Sequence, residues 1–415
     1  MASRWNGITF GIELEFMTAI PNTKPLWRIS APDAAARLNI AELLASCTAL
    51  PIACECNHDP SDDVPCPICF DATSDTRGDR VHLVSGDIGL QLGEALRGES
   101  FLFSHEFLET GNPINAQRDW PGVEMVTPIF HSGELRSGLP TMATVLGHIR
   151  SMPLGITVDE SCGMHVHVGV KTGMTLLLAQ KIITMVMLVE DTVLLSSSPN
   201  PGWPPILPCP STATPALALN KTWTTDTPVN QLQESHVPPK ETMKPALWNN
   251  YVPLHFYSMF HQVWNAKTLP ELARITRKNE LTRVAVCVAL RAPWGEAVSP
   301  RWPGPLEDTP STVEFRYSQT TFDHKLLRNW TEVICTIVDL AQADAGTYKT
   351  YLTDIIETQH RAEQQGKPAW EMLMKNVFDL GHRIPEWKQQ LDNYKQGVVF
   401  PELDDELLLK SEQTR

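Results

Sequence analysis

The chain has 415 residues, 42% of them hydrophobic, which is enough for one large core or two ordinary ones. Its formal charge of −14 argues against nucleic acid or an anionic membrane as a partner, and an anionic substrate would need local positive charge. Nine cysteines, an odd number, fit reduced thiols better than a disulfide framework; with no apolar run of signal-peptide length at the start, the expectation is a cytoplasmic protein.

The first patterned stretch, 8–16, alternates strictly. Ile8, Phe10, Ile12, Leu14 and Phe16 share one face of a predicted strand, and Gly11, Glu13 and Glu15 share the other. Carboxylates two residues apart on one strand face repel each other unless water or a cation lies between them. A helix is expected over 31–50. Then come Cys54, Cys56, His58, Cys66 and Cys69, four thiols and a histidine within 16 residues. They suit either a closed, structural tetrahedral zinc site or a set of free surface thiols.

Further strands are predicted near 81–84, over 101–108 and over 123–128, where Glu124 faces opposite Val123 and Met125. One helix is expected over 134–150. The stretch 161–169, Ser-Cys-Gly-Met-His-Val-His-Val-Gly, alternates again and puts His165 and His167 on one face, about 6.6 to 7 Å apart along the strand. Two imidazoles so placed can converge on a metal ion or a phosphate oxygen, or form an ordinary hydrogen-bonded pair. The apolar segment 174–195 contains Gln180, Lys181, Glu190 and Asp191, which suits a buried amphipathic helix better than a bilayer span.

Between 199 and 245, 47 residues hold 11 of the 33 prolines, so long regular structure is not expected there. The tryptophans Trp203, Trp223 and Trp248 argue for a lid-like or specificity loop over a solvated linker. A helix over 251–264 and a strand over 283–290 follow; the strand's polar face is small and flanked by Arg283 and Arg291. A second Pro-rich insertion, 292–311, precedes 312–317, where Glu314 and Arg316 share a face opposite Val313, Phe315 and Tyr317. The rest, 325–365 and 369–382, is expected to be helical.

Four strands therefore repeat one design, an apolar face for a core and a face carrying Glu, His or Arg. A sheet with helices on its apolar side and a cavity on the other accommodates this. Glu13, Glu15, Glu124, His165 and Glu314 would hold divalent cations there, and Arg316 a phosphate.

The motifs Gly11-Ile12-Glu13-Leu14-Glu15-Phe16, Val123-Glu124-Met125-Val126-Thr127-Pro128, Gly163-Met164-His165-Val166-His167 and Thr312-Val313-Glu314-Phe315-Arg316 resemble, in this order, the signature strands of the amidoligase family of ATP-dependent carboxylate-amine ligases, related to glutamine synthetase and glutamate-cysteine ligase. The resemblance implies an α+β fold of glutamine synthetase-like type: a curved antiparallel sheet, helices on its apolar face, and an active-site cavity on its concave polar face. It implies a single catalytic domain over 1–400, with insertions at 51–98, 197–247 and 292–311 and an acidic, polar tail at 401–415. ATP and Mg²⁺ or Mn²⁺ are the implied cofactors, with a structural Zn²⁺ at the cysteines as a separate expectation. Glu13, Glu15, Glu124, His165 and Glu314 look like the metal ligands and Arg316 like the phosphate contact; His167 would orient the nucleotide or the acyl phosphate, and Arg283 and Arg291 would join the nucleotide site. The implied reaction activates a small acid as its acyl phosphate and joins it to an amine, both amino-acid or peptide-like, with neither nucleic acid nor membrane as partner. Two alternatives remain: a metal-dependent amide hydrolase built on the two histidines, and a scaffold that keeps the fold without catalysis.

Overall fold

The computed structural model describes residues 4–19, 32–56, 81–85, 98–108, 120–194, 231–247, 255–277, 285–295, 297–302 and 304–411. In chain order the elements are β1 (Ile8–Thr18), α1 (Pro32–Cys47), β2 (Ile52–Cys56), β3 (Val81–Ser85), β4 (Phe101–His105), β5 (Gly122–Val126), β6 (Phe130–His131), α2 (Ser132–Arg136), α3 (Pro140–Ser151), β7 (Ile156–Thr157), β8 (Gly163–Val170) and α4 (Leu176–Val189). A π-helical turn, Glu190–Leu194, continues α4. After it come α5 (Gln231–His236), α6 (Lys240–Ala246), α7 (His255–Asn265), α8 (Leu269–Ile275), β9 (Val286–Ala289), β10 (Thr312–Gln319), α9 (His324–Ala341), α10 (Ala345–Gln365), α11 (Ala369–Asn376) and α12 (Ile384–Lys395). The fold is mixed α+β, and its ten strands form an open, mostly antiparallel sheet, in which β2 pairs in parallel with β3 and with β4.

The chain falls into two compact units, and β1, β8 and β10 each begin in one and end in the other. One unit comprises Gly11–His165, Ser318–Leu327 and Phe400–Arg415. Its strands run in the order β3-β2-β4-β5-β1. The register places Leu14 opposite Met125 and Phe16 opposite Val123, and Phe103 opposite Met125 on the other flank. All five are fully buried, so the alternation expected for 8–16 and 123–128 builds one continuous apolar layer. The helix α1 lies on that side, where Asp33 Oδ2 approaches His105 Nε2 at 3.2 Å.

The expected helix over 134–150 is two helices. Gly138 (φ 83°) and Leu139 (φ 60°) are left-handed, and Pro140 then occupies the first turn of α3, where its missing N–H costs nothing. The residues after 400, expected to be a polar tail, pack as part of this unit: Glu402 is buried and accepts from Thr321 Oγ1 (2.9 Å) and Phe322 N (3.0 Å).

The other unit comprises Met1–Phe10, Val166–Tyr317 and Arg328–Val399, with strand order β8-β10-β9. Its centre is α4, buried without interruption from Ala179 to Val189 and started by Thr175, whose hydroxyl accepts from Leu178 N. Neighbours are tied to it by buried polar contacts: Trp264 Nε1 donates to Thr184 Oγ1 (2.9 Å) and Tyr348 OH to the Lys181 carbonyl (2.7 Å). The Pro-rich stretch ends in regular structure after all, since α5 and α6 occupy its last part. Pro238 and Pro239 precede α6, where no N–H is needed, and Pro245 falls in its last turn. Residues 195–230, the rest of the lid-like segment, lie outside the described residues. Among the described residues, no helix is long and apolar enough to cross a membrane.

Candidate metal centre

In the unit that contains Gly11–His165, the polar face is laid out in two cross-strand rows. Ser104 of β4 stands opposite Glu124 of β5, and Glu124 opposite Glu15 of β1; one step along, Leu102, Val126 and Glu13 form the next row. Like charges directly opposite on neighbouring strands are destabilising. Here they are crowded further by burial. Ser104 Oγ donates to Glu124 Oε2 (2.7 Å), yet the Glu124 carboxyl is pushed well above the usual carboxylate range, first by burial and then by the charge of Glu13, with Glu106 and Glu15 adding to it.

His165 sits over these carboxylates. Its Nδ1 is 3.1 Å from Glu13 Oε2 and its Nε2 3.4 Å from Glu15 Oε1, with Glu15 and His165 almost wholly enclosed. The other Glu15 oxygen accepts from Gly163 N at 2.7 Å. Gly163 is required here because a Cβ on it would stand 2.7 Å from His165 Nε2 and 3.0 Å from Glu15 Oε2. Thr320 completes the support: its hydroxyl accepts from Glu15 N (3.1 Å) and donates to the Gly163 carbonyl (2.5 Å).

Two sets of donors within this unit are close enough to share an ion. Glu13, Glu124 and His165 offer one ligand atom each, all within 4.8 Å of one another, and so do Glu15, Glu106 and Glu124. Glu124 belongs to both. The donor set is oxygen-rich with one imidazole, which fits Mg²⁺ or Mn²⁺ in preference to a thiolate-seeking ion.

His167, Glu314 and Arg316 form a separate arrangement in the other unit. Arg316 Nη1 donates to Glu314 Oε1 at 2.5 Å, Cys287 Sγ to Glu314 Oε2 at 3.3 Å, and His167 Nε2 lies 3.9 Å from Glu314 Oε1. The His167 ring is oriented by Thr312, whose hydroxyl is 3.1 Å from Nδ1. Glu314 was expected on a cavity-lining face. It has no exposed surface, and Arg316 and Cys287 each donate to one of its oxygens.

Of the other expected site residues, Arg291 donates through Nη1 to the Gly295 carbonyl (3.0 Å) of its own loop. Arg283 lies outside the described residues, as do His58, Cys66 and Cys69. Cys54 is a buried thiol of β2 opposite Phe103, a core position, and for Cys56 only the backbone in β2 is described. The sequence reading missed Glu106. It follows β4 with the parity of Leu102 and Ser104, so the alternation that exposed Glu124 was present there too. No family model matches the chain, and no curated protein sequence matches it.

Proposed function

We propose that the protein is an ATP-dependent ligase that joins a carboxylate to an amine through an acyl phosphate. The observation that carries this reading is Glu124, a half-buried carboxylate common to two donor sets, Glu13–Glu124–His165 and Glu15–Glu106–Glu124. Phosphoryl transfer is served by two neighbouring divalent cations, which neutralise the nucleotide phosphates and draw charge from the transferring group. In this reading Glu13, Glu15, Glu106, Glu124 and His165 hold the cations, Glu314 also reaches a cation in company with His167, and Gly163 and Thr320 keep Glu15 in place. Arg316, its guanidinium anchored by Glu314, presents a planar fork to the transferring phosphoryl. His167, oriented by Thr312, lines up the nucleotide or the acyl phosphate. The fold that goes with this reading is a sheet of the glutamine synthetase-like type, and the order of the four motif strands supports it.

The test is turnover with Mg²⁺, ATP and a panel of amino acids and short peptides supplied as acid and amine. ADP and phosphate should appear in step with a new amide. If a panel that spans acidic and basic amino acids gives no ADP above background, and calorimetry shows no MgATP binding, the reading is rejected. One observation favours a second reading: Arg316 is already engaged by Glu314, as suits a structural ion pair. A metal-dependent amide hydrolase needs no phosphate clamp, and amide cleavage without ATP would establish it.

A further inference from the structure

Glu314 is fully enclosed, and a carboxylate withdrawn from water must have its oxygens satisfied by protein donors. Arg316 supplies the donor to Oε1 and Cys287 the donor to Oε2. Cys287 is itself fully buried, and it is the direct cross-strand partner of Glu314 in the β9–β10 ladder. Its sulfur is therefore placed by the backbone register and not by a flexible stem. A thiol is a weak donor to a neutral acceptor, but a bond to an ionised oxygen away from water is strengthened. Two donors on the two oxygens also fix the plane of the carboxylate. That plane decides which edge of Glu314 meets His167 Nε2, 3.9 Å from Oε1.

We infer that Cys287 is a positioning residue, whose thiol holds the Glu314 carboxylate in the orientation from which Glu314 and His167 act together on a divalent cation. The cation part rests on the ligase reading above; the thiol part rests on geometry alone.

Two measurements test it separately. In the infrared S–H stretching window, the parent-minus-Cys287→Ser difference spectrum isolates one thiol among the nine. Its band should lie below that of a free thiol and move up in Glu314→Gln, where the acceptor loses its charge. A band already at the free-thiol position, or one that Glu314→Gln leaves unmoved, overturns the inference. The second measurement is Mn²⁺ affinity by calorimetry, with circular dichroism confirming that each variant is folded. Cys287→Val keeps the bulk and removes the donor, and should weaken Mn²⁺ about tenfold, as loss of a ligand's outer partner does. Cys287→Ser keeps a donor and should stay within about twofold of the parent. Equal affinity in the parent, Val and Ser proteins overturns the inference. A parent that binds no Mn²⁺ rejects the ligase reading instead, and the S–H band then decides alone whether the thiol holds Glu314.

Discussion

Glu124 and Glu314 are both strand carboxylates drawn in from water, the first half-buried and the second wholly so, and they are balanced in opposite ways. Glu124 accepts from a serine hydroxyl and stands among Glu13, Glu15 and Glu106, so nearby charge adds to the cost of ionising it. Glu314 has a guanidinium on one oxygen and a thiol on the other. The difference teaches where a cation is needed. The arrangement around Glu124, with no guanidinium on its oxygens, gains from positive charge brought in from outside the chain, whereas that around Glu314 already carries the guanidinium of Arg316.

Variants should break this contrast in opposite senses. Arg316→Met leaves Glu314 buried without its cation and should cost about 3 to 5 kcal/mol of stability in urea unfolding. Glu13→Gln, at a partly exposed position, should cost about 1 kcal/mol or less. If both lose the same, the two arrangements do not differ as claimed. Glu124→Gln should do the reverse of Arg316→Met: Mn²⁺ affinity should fall about 100-fold, because both donor sets lose a ligand. The metal-free variant should nevertheless melt above the metal-free parent, since an acid crowded by like charges has been made neutral. A lower melting temperature in chelator would show that Glu124 is already compensated.

A third carboxylate sharpens the comparison by having a neutral partner. Glu190 accepts from Tyr317 OH at 2.6 Å, and burial raises its carboxyl to about 8. An acid whose folded value lies above its unfolded one binds more protons when folded, so its contribution is complete below about pH 4.5 and is lost as pH rises through about 8. Stability of the parent should fall across that window by up to about 1.4 kcal/mol per pH unit, and Glu190→Gln should flatten the slope. Parallel pH profiles for the two proteins would refute this. The smallest effect on Mn²⁺ is expected from Ser104→Ala, which removes one hydrogen bond to Glu124 and should weaken binding by about 1 kcal/mol in the same titration. An unchanged affinity would mean that the serine does not orient Glu124.

The site strands were legible because each has one uniformly apolar face, which makes the odd Glu or His conspicuous. β1 shows this most clearly: five apolar side chains on one side are buried, and Glu13 and Glu15 fall on the other. β2 was hidden by its cysteines. Ile52, Ala53 and Cys54 are all fully buried, so both faces are covered and no alternation marks the strand. Left-handed residues split the 134–150 helix, and nothing in its periodicity announces Leu139 in that conformation. The engagement of Arg316 by Glu314 was equally out of reach. Residues two apart on a strand share a face, but whether they bond to each other or to a ligand depends on what closes over them, and here the closing group is Cys287 from a strand some 27 positions earlier.

The packing of residues 400–411 has a consequence for how the protein is made. Glu402 secures Thr321 and Phe322, next to the threonine that holds Glu15 and Gly163; Leu407 accepts from Thr157, and Leu409 donates to Ile156. The unit that begins at Gly11 is thus assembled from three separate stretches of chain, the last of them beginning only at Phe400. While translation proceeds, Glu13, Glu15 and Glu124 can be synthesised and paired long before Thr320 and Glu402 exist. The nascent chain therefore passes through an interval in which an acidic, incompletely braced strand pair waits for its supports, and loop closures of such length are slow. Chaperones, or cations captured early, would find their longest opportunity in that interval.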